Sequence, residues 1–105
     1  MMAAMVHIIW IFRARPERRA DFLAHYNAEG AWAQLFARAR GYIRTTLQQD
    51  AADADRFLCI DAWNDLDAFM QFKREHADAY AALDRQCEQL TLEEKHIGVF
   101  VAEPH

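Results

Sequence analysis

The chain has 105 residues, a formal net charge of −4 at pH 7 and an apolar content of 53%. This length and composition suit one compact domain with a single hydrophobic core, which we expect to span residues 1–105. The acidic balance argues against nucleic acid and anionic membranes as partners, because both bind through basic surfaces.

The first predicted element is a strand formed by residues 5–13. Side chains alternate between the two faces of a strand, and here both faces are mostly apolar. A strand with one face in water would alternate apolar with polar residues, so this strand is predicted to be central and covered on both sides. The chain's opening lacks the charged start of a signal peptide, and its apolar run is too short to span a membrane, so we expect a cytoplasmic protein.

A helical region is predicted next, beginning at Pro16 and Glu17, two residue types that suit a first helical turn. Residues 27–30 interrupt its apolar stripe with asparagine and glycine, which disfavour helix. The sequence therefore predicts two short helices with a kink, the second one ending at Gly41. The kink is either a simple bend or the rim of a pocket.

Two strands joined by an acidic loop at residues 50–55 are predicted after the helices. The strand at 42–49 is the most polar of the chain and is therefore expected at an edge of the sheet. The strand at 56–63 is apolar on both faces and should lie beside the first strand.

A second helical region over residues 66–90 and a last strand at 94–101 complete the predicted elements, before a frayed tail at Pro104 and His105. Asn64 or Asp65 is the predicted N-cap of the helical region. In the last strand, simple alternation groups four residues on one face, and its glycine predicts a bulge or a close backbone approach. The four residues of that face are Glu94, His96, Gly98 and Phe100.

The two cysteines, Cys59 and Cys87, lie in apolar contexts and lack CxxC spacing. This pattern predicts reduced core thiols rather than a disulfide or a metal site. His25 and Glu29 form only a two-ligand fragment of a metal site, so no metal is expected.

The predicted order β-α-β-β-α-β gives a ferredoxin-like α+β sandwich, a four-stranded antiparallel sheet with the helices on one face. The two central strands are apolar on the bare face as well, through about half a dozen side chains, each worth roughly 1.5–3 kcal/mol when buried. Because such a patch favours aggregation when exposed, we predict a homodimer that pairs sheet to sheet.

Two segments carry a resemblance to a known family. The strand exit Arg13-Ala14-Arg15-Pro16-Glu17 and the segment Asp61-Ala62-Trp63-Asn64-Asp65, together with the element order, resemble the antibiotic biosynthesis monooxygenase family of dimeric α+β barrels. In that family the third strand commonly ends in an acidic residue, any residue and a tryptophan, which Asp61 and Trp63 match. The resemblance implies a small hydrophobic pocket in each subunit and the oxygenation of small aromatic, quinol or polyketide-like molecules without metal, flavin or another cofactor.

The chain departs from the family pattern at a histidine that many members carry early in the second helix, where this chain has Phe72. Haem-degrading relatives need an asparagine in the first strand and a tryptophan and a histidine in the second helix. The best-matching positions here carry Ile9, Phe72 and Ala82. Haem degradation is therefore not expected, and a proton-handling residue has to come from elsewhere in the chain.

Oxygenation without a cofactor needs a base near neutral pKa, donors for an oxyanion and a dry pocket. Histidine suits the base, so His76 and Tyr80, one helical turn apart, are the first predicted catalytic pair, with Asp61 or Arg44 as an orienting group. Six residues are predicted to contact the substrate: Trp63, Phe72, Trp32, Phe36, His25 and Arg44.

Four of the candidates also have a purely structural interpretation. His76 and His25 are then ordinary helix histidines, while Tyr80 and Trp63 are packing residues. The alternative function is a non-catalytic dimeric module that binds a small apolar ligand or stabilises a pathway complex. The two functions differ in one respect, because an enzyme needs its base on the cavity wall and a binding module needs only the wall.

Overall fold

The computed structural model describes residues 4–102, so the predicted tail at residues 104–105 lies outside the described part. Four strands form one antiparallel sheet in the order β2-β3-β1-β4. This order and the β-α-β-β-α-β succession confirm the ferredoxin-like fold, with β1 and β3 in the centre. The elements are β1 (Val6–Ala14), a 3-10 turn (Pro16–Arg18), α1 (Arg19–Tyr26), α2 (Ala31–Phe36), β2 (Tyr42–Asp50), β3 (Asp53–Trp63), α3 (Leu66–Glu75), α4 (Ala77–Cys87) and β4 (Thr91–Val101).

The core lies between the helices and one face of the sheet. Alternate residues of β1 and β3 pack there with the aromatic side chains of α1, α2 and α3. Four large apolar side chains of β1 and β3 lie on the opposite face, partly exposed and outside this core; they are Ile9, Ile11, Leu58 and Ile60. The predicted bare apolar face is therefore observed, since the helices cover only one face of the central strands and the other face is apolar as well.

Strand register places three polar or reactive side chains on the helix-facing side of the sheet. Asp61 of β3 pairs with Ile8 of β1 and with Thr45 of β2, and Cys59 pairs with Trp10. Because alternate residues share a face, Thr45, Cys59, Asp61 and Trp10 all face the helices. Both cysteines are buried and free, as predicted.

A bulge in β4 corrects the predicted grouping of its side chains. Ile9 pairs with Gly98 and Trp10 pairs with His96, so Ile97 is an extra residue in β4. Gly98 adopts a φ of +154°, which L side chains rarely tolerate. The predicted bulge at Gly98 is confirmed, but the grouping of all four residues on one face was wrong. Glu94 and His96 face the helices, whereas Gly98 and Phe100 face the opposite side.

The predicted kink in the first helical region is confirmed at residues 27–30. A Cβ atom on Gly30 would lie 2.7 Å from the Ala24 carbonyl oxygen, so only glycine lets α2 start this close to α1. The second helix is shorter than predicted, because it ends at Phe36 and turns lead to Gly41, whose φ is +90°.

The remaining boundaries differ from the predictions in three places. The acidic loop reduces to a turn at residues 51–52, because Asp53 already pairs with Asp50 across the hairpin. The carboxylates of Asp53 and Asp55 form ion pairs with Arg13 and Arg19. The second helical region divides at residue 76, and β4 starts three residues earlier than predicted. Asp65 is the N-cap of α3, since its carboxylate accepts a 2.7 Å hydrogen bond from the Ala68 amide. No helix in the described range is long and apolar enough to cross a membrane.

Candidate active site

A cavity with mainly aromatic walls lies between the sheet and the helices and opens to solvent on one side. Its volume is about 70 Å³, which is enough for a few water molecules. Strands and helices both contribute to the wall. The lining residues are Trp10, Phe12, Tyr26, Trp32, Phe36, Thr45, Cys59, Asp61, Tyr80, Asp84 and Glu94.

Asp61 is the buried carboxyl group of the cavity, with 8% of its surface exposed. Its Oδ1 atom accepts a 2.7 Å hydrogen bond from the Thr45 hydroxyl and lies 3.9 Å from the Cys59 sulfur. Burial raises the pKa of Asp61 to about 6, and the two hydrogen bonds oppose this rise. A carboxyl group with such a pKa can take up and return a proton near neutral pH.

A short hydrogen-bond chain extends from Asp61 through Thr45 to Tyr42. The hydroxyl oxygens of Tyr42 and Thr45 are 2.7 Å apart. A threonine hydroxyl carries one proton, so Thr45 donates to the ionised Asp61 and accepts from Tyr42. Both hydroxyl groups therefore support the charged form of Asp61.

Two hydrogen-bond donors on the wall could meet an oxygen atom of a ligand. Burial raises the pKa of Tyr80, and the nearby carboxylates of Asp84, Asp61 and Glu94 raise it further, so its hydroxyl stays protonated. Trp32 is 8% exposed, and its indole N–H makes no well-formed hydrogen bond among the described residues, although the Tyr26 hydroxyl and the Cys87 sulfur lie near it. A buried donor without an acceptor is costly, and a ligand oxygen would relieve that cost.

The mouth of the cavity is acidic. Glu94 faces the cavity from β4 and Asp84 faces it from α4. Partial burial raises the pKa of Glu94, and the negative charge of Asp84 adds to this effect. The two carboxyl groups are thus close enough to repel each other.

Of the residues proposed from the sequence, the structure brings four together on the cavity wall: Asp61, Tyr80, Trp32 and Phe36. Trp63 and Phe72 are fully buried, and their rings pack behind that of Phe36 at centroid distances of 5.5 and 5.3 Å.

The three basic candidates lie away from the wall. His76 occupies the junction of α3 and α4, where its ring stacks on Phe72 at 5.2 Å. His25 bonds through Nδ1 to the backbone oxygen of Asp21 at 2.7 Å. Arg44 is exposed on the open face of the sheet, because it precedes Thr45 in the strand. The role of His76 as a base stays a prediction.

Sequence reasoning missed several wall residues, among them Thr45, Trp10 and Glu94. The pairing of Thr45 with Asp61 follows from the β2–β3 hairpin and could have been found once its two-residue turn was recognised. Glu94 could not be assigned to a face without the position of the bulge. The kink at Asn27 borders a separate outer groove, which shares Thr45 with the cavity.

Metal ligation finds no support in residues 4–102, where no three His, Cys, Asp or Glu side chains are grouped so that they could hold an ion.

Comparison with protein families identifies a match over most of the chain. The sequence profile of the antibiotic biosynthesis monooxygenase family matches residues 5–83, about three quarters of the chain. No curated protein sequence matches the chain at a significant level.

Solved structures with the same fold include SnoaB from Streptomyces nogalater, a cofactor-independent oxygenase, with a TM-score of 0.75 and 23% identity over 98% of this chain and 97% of that chain. PA3566 from Pseudomonas aeruginosa has a TM-score of 0.70 and 20% identity, covering 100% of this chain and 98% of that one. Rv0793 from Mycobacterium tuberculosis has a TM-score of 0.68 and 18% identity, covering 97% and 96%. At these identities the likeness is one of fold.

Proposed function

The chain belongs to the antibiotic biosynthesis monooxygenase family, and on this basis we propose that it is a cofactor-independent monooxygenase for a small aromatic, quinol or polyketide-like substrate. One observation carries the proposal. A buried carboxyl group, that of Asp61, lies on the wall of an aromatic cavity and has a pKa of about 6. SnoaB, which shares the fold, is a cofactor-independent oxygenase.

The proposed reaction begins with proton transfer from an acidic C–H or O–H group of the substrate to Asp61. The electron-rich anion then reduces dioxygen, one oxygen atom stays in the product and the other leaves as water. For a methylene group between two aromatic rings the balance is CH₂ + O₂ → C=O + H₂O, so the substrate supplies all four electrons.

The surrounding residues would assist each part of this reaction. Thr45 and Tyr42 hold the carboxylate of Asp61 ready to accept the proton. Tyr80 and Trp32 offer donors for the substrate's developing oxyanion, and the aromatic wall limits access of water to the reactive anion.

The small size of the cavity favours a second candidate function, a non-catalytic module that binds a small ligand. Its volume of about 70 Å³ lies below the roughly 300–1,000 Å³ of typical ligand pockets. A multi-ring substrate would require movement of partly exposed wall residues such as Trp10 and Tyr80, whereas a binding module could accept a fragment as small as one ring.

The proposal includes a homodimer paired through the open sheet face. That face carries the partly exposed apolar side chains of β1 and β3, and β4 adds Phe100, which is 49% exposed. A second copy placed there would remove these side chains from water.

Oxygen uptake with a panel of hydroquinones and anthrones tests the proposed activity. We expect consumption of one O₂ per substrate without release of peroxide, and a loss of at least about 100-fold in Asp61→Asn. His76→Ala should retain activity if Asp61 is the base. Full activity of Asp61→Asn together with loss in His76→Ala would instead assign the base to His76. Binding without oxygen uptake would favour the non-catalytic module.

A further inference from the structure

We propose that the cavity selects an aromatic molecule that carries a protonated amine and rejects the corresponding carboxylate. The inference rests on the proposed use of this cavity as the substrate site. It goes further by assigning the charge of the substrate and the residues that recognise it.

The charged groups on the wall all have one sign. Asp61, Asp84 and Glu94 contribute carboxyl groups, and the eleven lining residues in the described chain include no lysine, arginine or histidine. An anionic ligand entering this site would give up its hydration and meet only negative or neutral groups on the wall itself.

Two basic side chains touch wall rings without being part of the wall. Lys73 Nζ lies 5.2 Å from the ring centroid of Tyr80, and the ring of His96 lies 4.8 Å from that of Trp10. The first contact places the Lys73 ammonium over the Tyr80 ring, so a cation can lie against this part of the wall. Aromatic rings attract ammonium groups in this way, most strongly where water is excluded.

The position of Glu94 is specific to the fold of β4. The bulge places Glu94 opposite Phe12 on the helix-facing side, where it meets Asp84 of α4 at the mouth of the cavity. An ammonium group between these carboxyl groups would offset their mutual repulsion.

A separate observation indicates which chemical group the other end of the ligand carries. Trp32, on the same wall, is more than nine-tenths buried, and its indole N–H makes no well-formed hydrogen bond within the described residues, although the Tyr26 hydroxyl and the Cys87 sulfur lie near it. A hydroxyl or carbonyl oxygen of a ligand would supply an acceptor. The predicted ligand therefore has an oxygen substituent at the buried end of its ring and an amine at the exposed end.

Three phenols that differ only in one end group test this inference: tyramine, the neutral alcohol tyrosol and 4-hydroxyphenylacetate. Binding is measured by calorimetric titration without oxygen, at pH 7.5 and low salt, so that turnover plays no part. We expect tyramine to bind at least about tenfold more tightly than 4-hydroxyphenylacetate, with tyrosol between them.

Charge-neutralising variants test whether Glu94 and Asp84 cause the preference for the amine. Glu94→Gln and Asp84→Asn should each reduce the preference for tyramine over tyrosol by up to about fivefold. Matched controls are Glu93→Gln, one residue earlier in β4 with its carboxylate 3.7 Å from Arg13 on the other face, and Asp78→Asn on α4. Both controls should keep the preference.

Equal binding of the three phenols, tighter binding of the carboxylate, or no binding of tyramine would overturn the inference. A preference that survives in both cavity variants would overturn it too, because the amine would then bind elsewhere. Failure of the proposed activity can be distinguished from failure of this inference. Tyramine binding without oxygen uptake on any substrate would leave the charge preference standing, while rapid oxidation of neutral and anionic quinols alone would confirm the activity and refute the preference.

Discussion

Asp61 and Thr45 face each other across the pairing of β3 with β2, and the Thr45 hydroxyl donates a 2.7 Å hydrogen bond to the Asp61 carboxylate. The bond joins a buried acid to the edge strand of the sheet. It therefore couples the ionisation of Asp61 to β2, a strand that also borders the outer groove.

Replacing Asp61 by asparagine should stabilise the protein at high pH. The fold raises the pKa of Asp61 from 3.8 to about 6, so folding favours its protonated form. The stability that this form contributes is complete below pH 3.8 and is lost as the pH rises through 6. At pH 8 we expect Asp61→Asn to be more stable than the native protein by up to about 3 kcal/mol.

Urea unfolding at pH 4 and pH 8 measures this difference. The gain of Asp61→Asn should shrink towards pH 4. Asp53→Asn is a control of opposite sign, because hydrogen bonds from the Asp55 amide and from Arg13 lower the pKa of Asp53. Its carboxylate stabilises the fold above the unfolded pKa, so that variant should lose stability at pH 8. An equal effect of Asp61→Asn at both pH values would contradict burial as the cause of the shift.

Thr45→Val should raise the pKa of Asp61 further, since the Thr45 hydroxyl supports the charged carboxylate. A hydrogen bond to a charged group is worth about 1.5–3 kcal/mol, which corresponds to a rise of about one to two pKa units. Carbon NMR of the Asp61 side chain measures the pKa. The acid limb of the pH–activity profile should shift to higher pH by the same amount.

Thr45→Ser keeps the hydroxyl group and should titrate like the native protein. Thr46→Val removes a hydroxyl from the neighbouring position, which faces the other side of the sheet, and should also leave the pKa unchanged. A shift of similar size in Thr46→Val would show that loss of a strand hydroxyl, rather than the bond to Asp61, is responsible.

Ile60→Asp should convert a dimer into monomers. Ile60 lies in the central strand β3, is partly exposed on the open face, and is not part of the core. A charge there would be desolvated in a sheet-to-sheet interface while costing the isolated subunit little. Analytical ultracentrifugation measures the mass.

Leu66→Asp is the matched control, because Leu66 is 43% exposed on α3, on the opposite side of the sheet. It should leave the dimer intact. The open sheet face would not be a dimer interface if the native protein sediments as a monomer. The same conclusion would follow if Leu66→Asp dissociates and Ile60→Asp does not.

Gly98→Ala should destabilise the fold by about 1–3 kcal/mol, because φ at this position is +154° and a side chain there is strained. Its Cβ would also approach the Phe100 ring to 3.2 Å. Thermal unfolding measures the loss. Lys95→Ala, in the same strand, should change the free energy of unfolding by less than about 0.5 kcal/mol. A neutral Gly98→Ala would indicate that β4 can adopt another register.

The sequence was informative where local patterns decide the structure. The apolar faces of β1 and β3 predicted their central positions, and the helix cap was narrowed to Asn64 or Asp65, of which the structure selects Asp65. Asp61, Tyr80, Trp32 and Phe36 were named as site residues and lie together on the wall, although their predicted roles are untested.

The sequence was less informative where one residue changes the geometry. His76 and Tyr80 are spaced as neighbours on one helix face, but the chain divides between α3 and α4 at His76, whose ring stacks on Phe72 while Tyr80 reaches the cavity. Periodicity assumes an unbroken helix and cannot detect such a division. In β4, alternation failed at Ile97 for the related reason that a bulge shifts the count by one.

The register of β4 also determines what kind of mutation could change the chemistry of the cavity mouth. Residues 93, 94 and 95 are Glu, Glu and Lys, and Glu94 is the one held opposite Phe12. Insertion of a single residue between Lys95 and Ile97, with the bulge kept in place, would bring Lys95 to that position. The entrance would thereby exchange one of its carboxylates for an ammonium group in one genetic step.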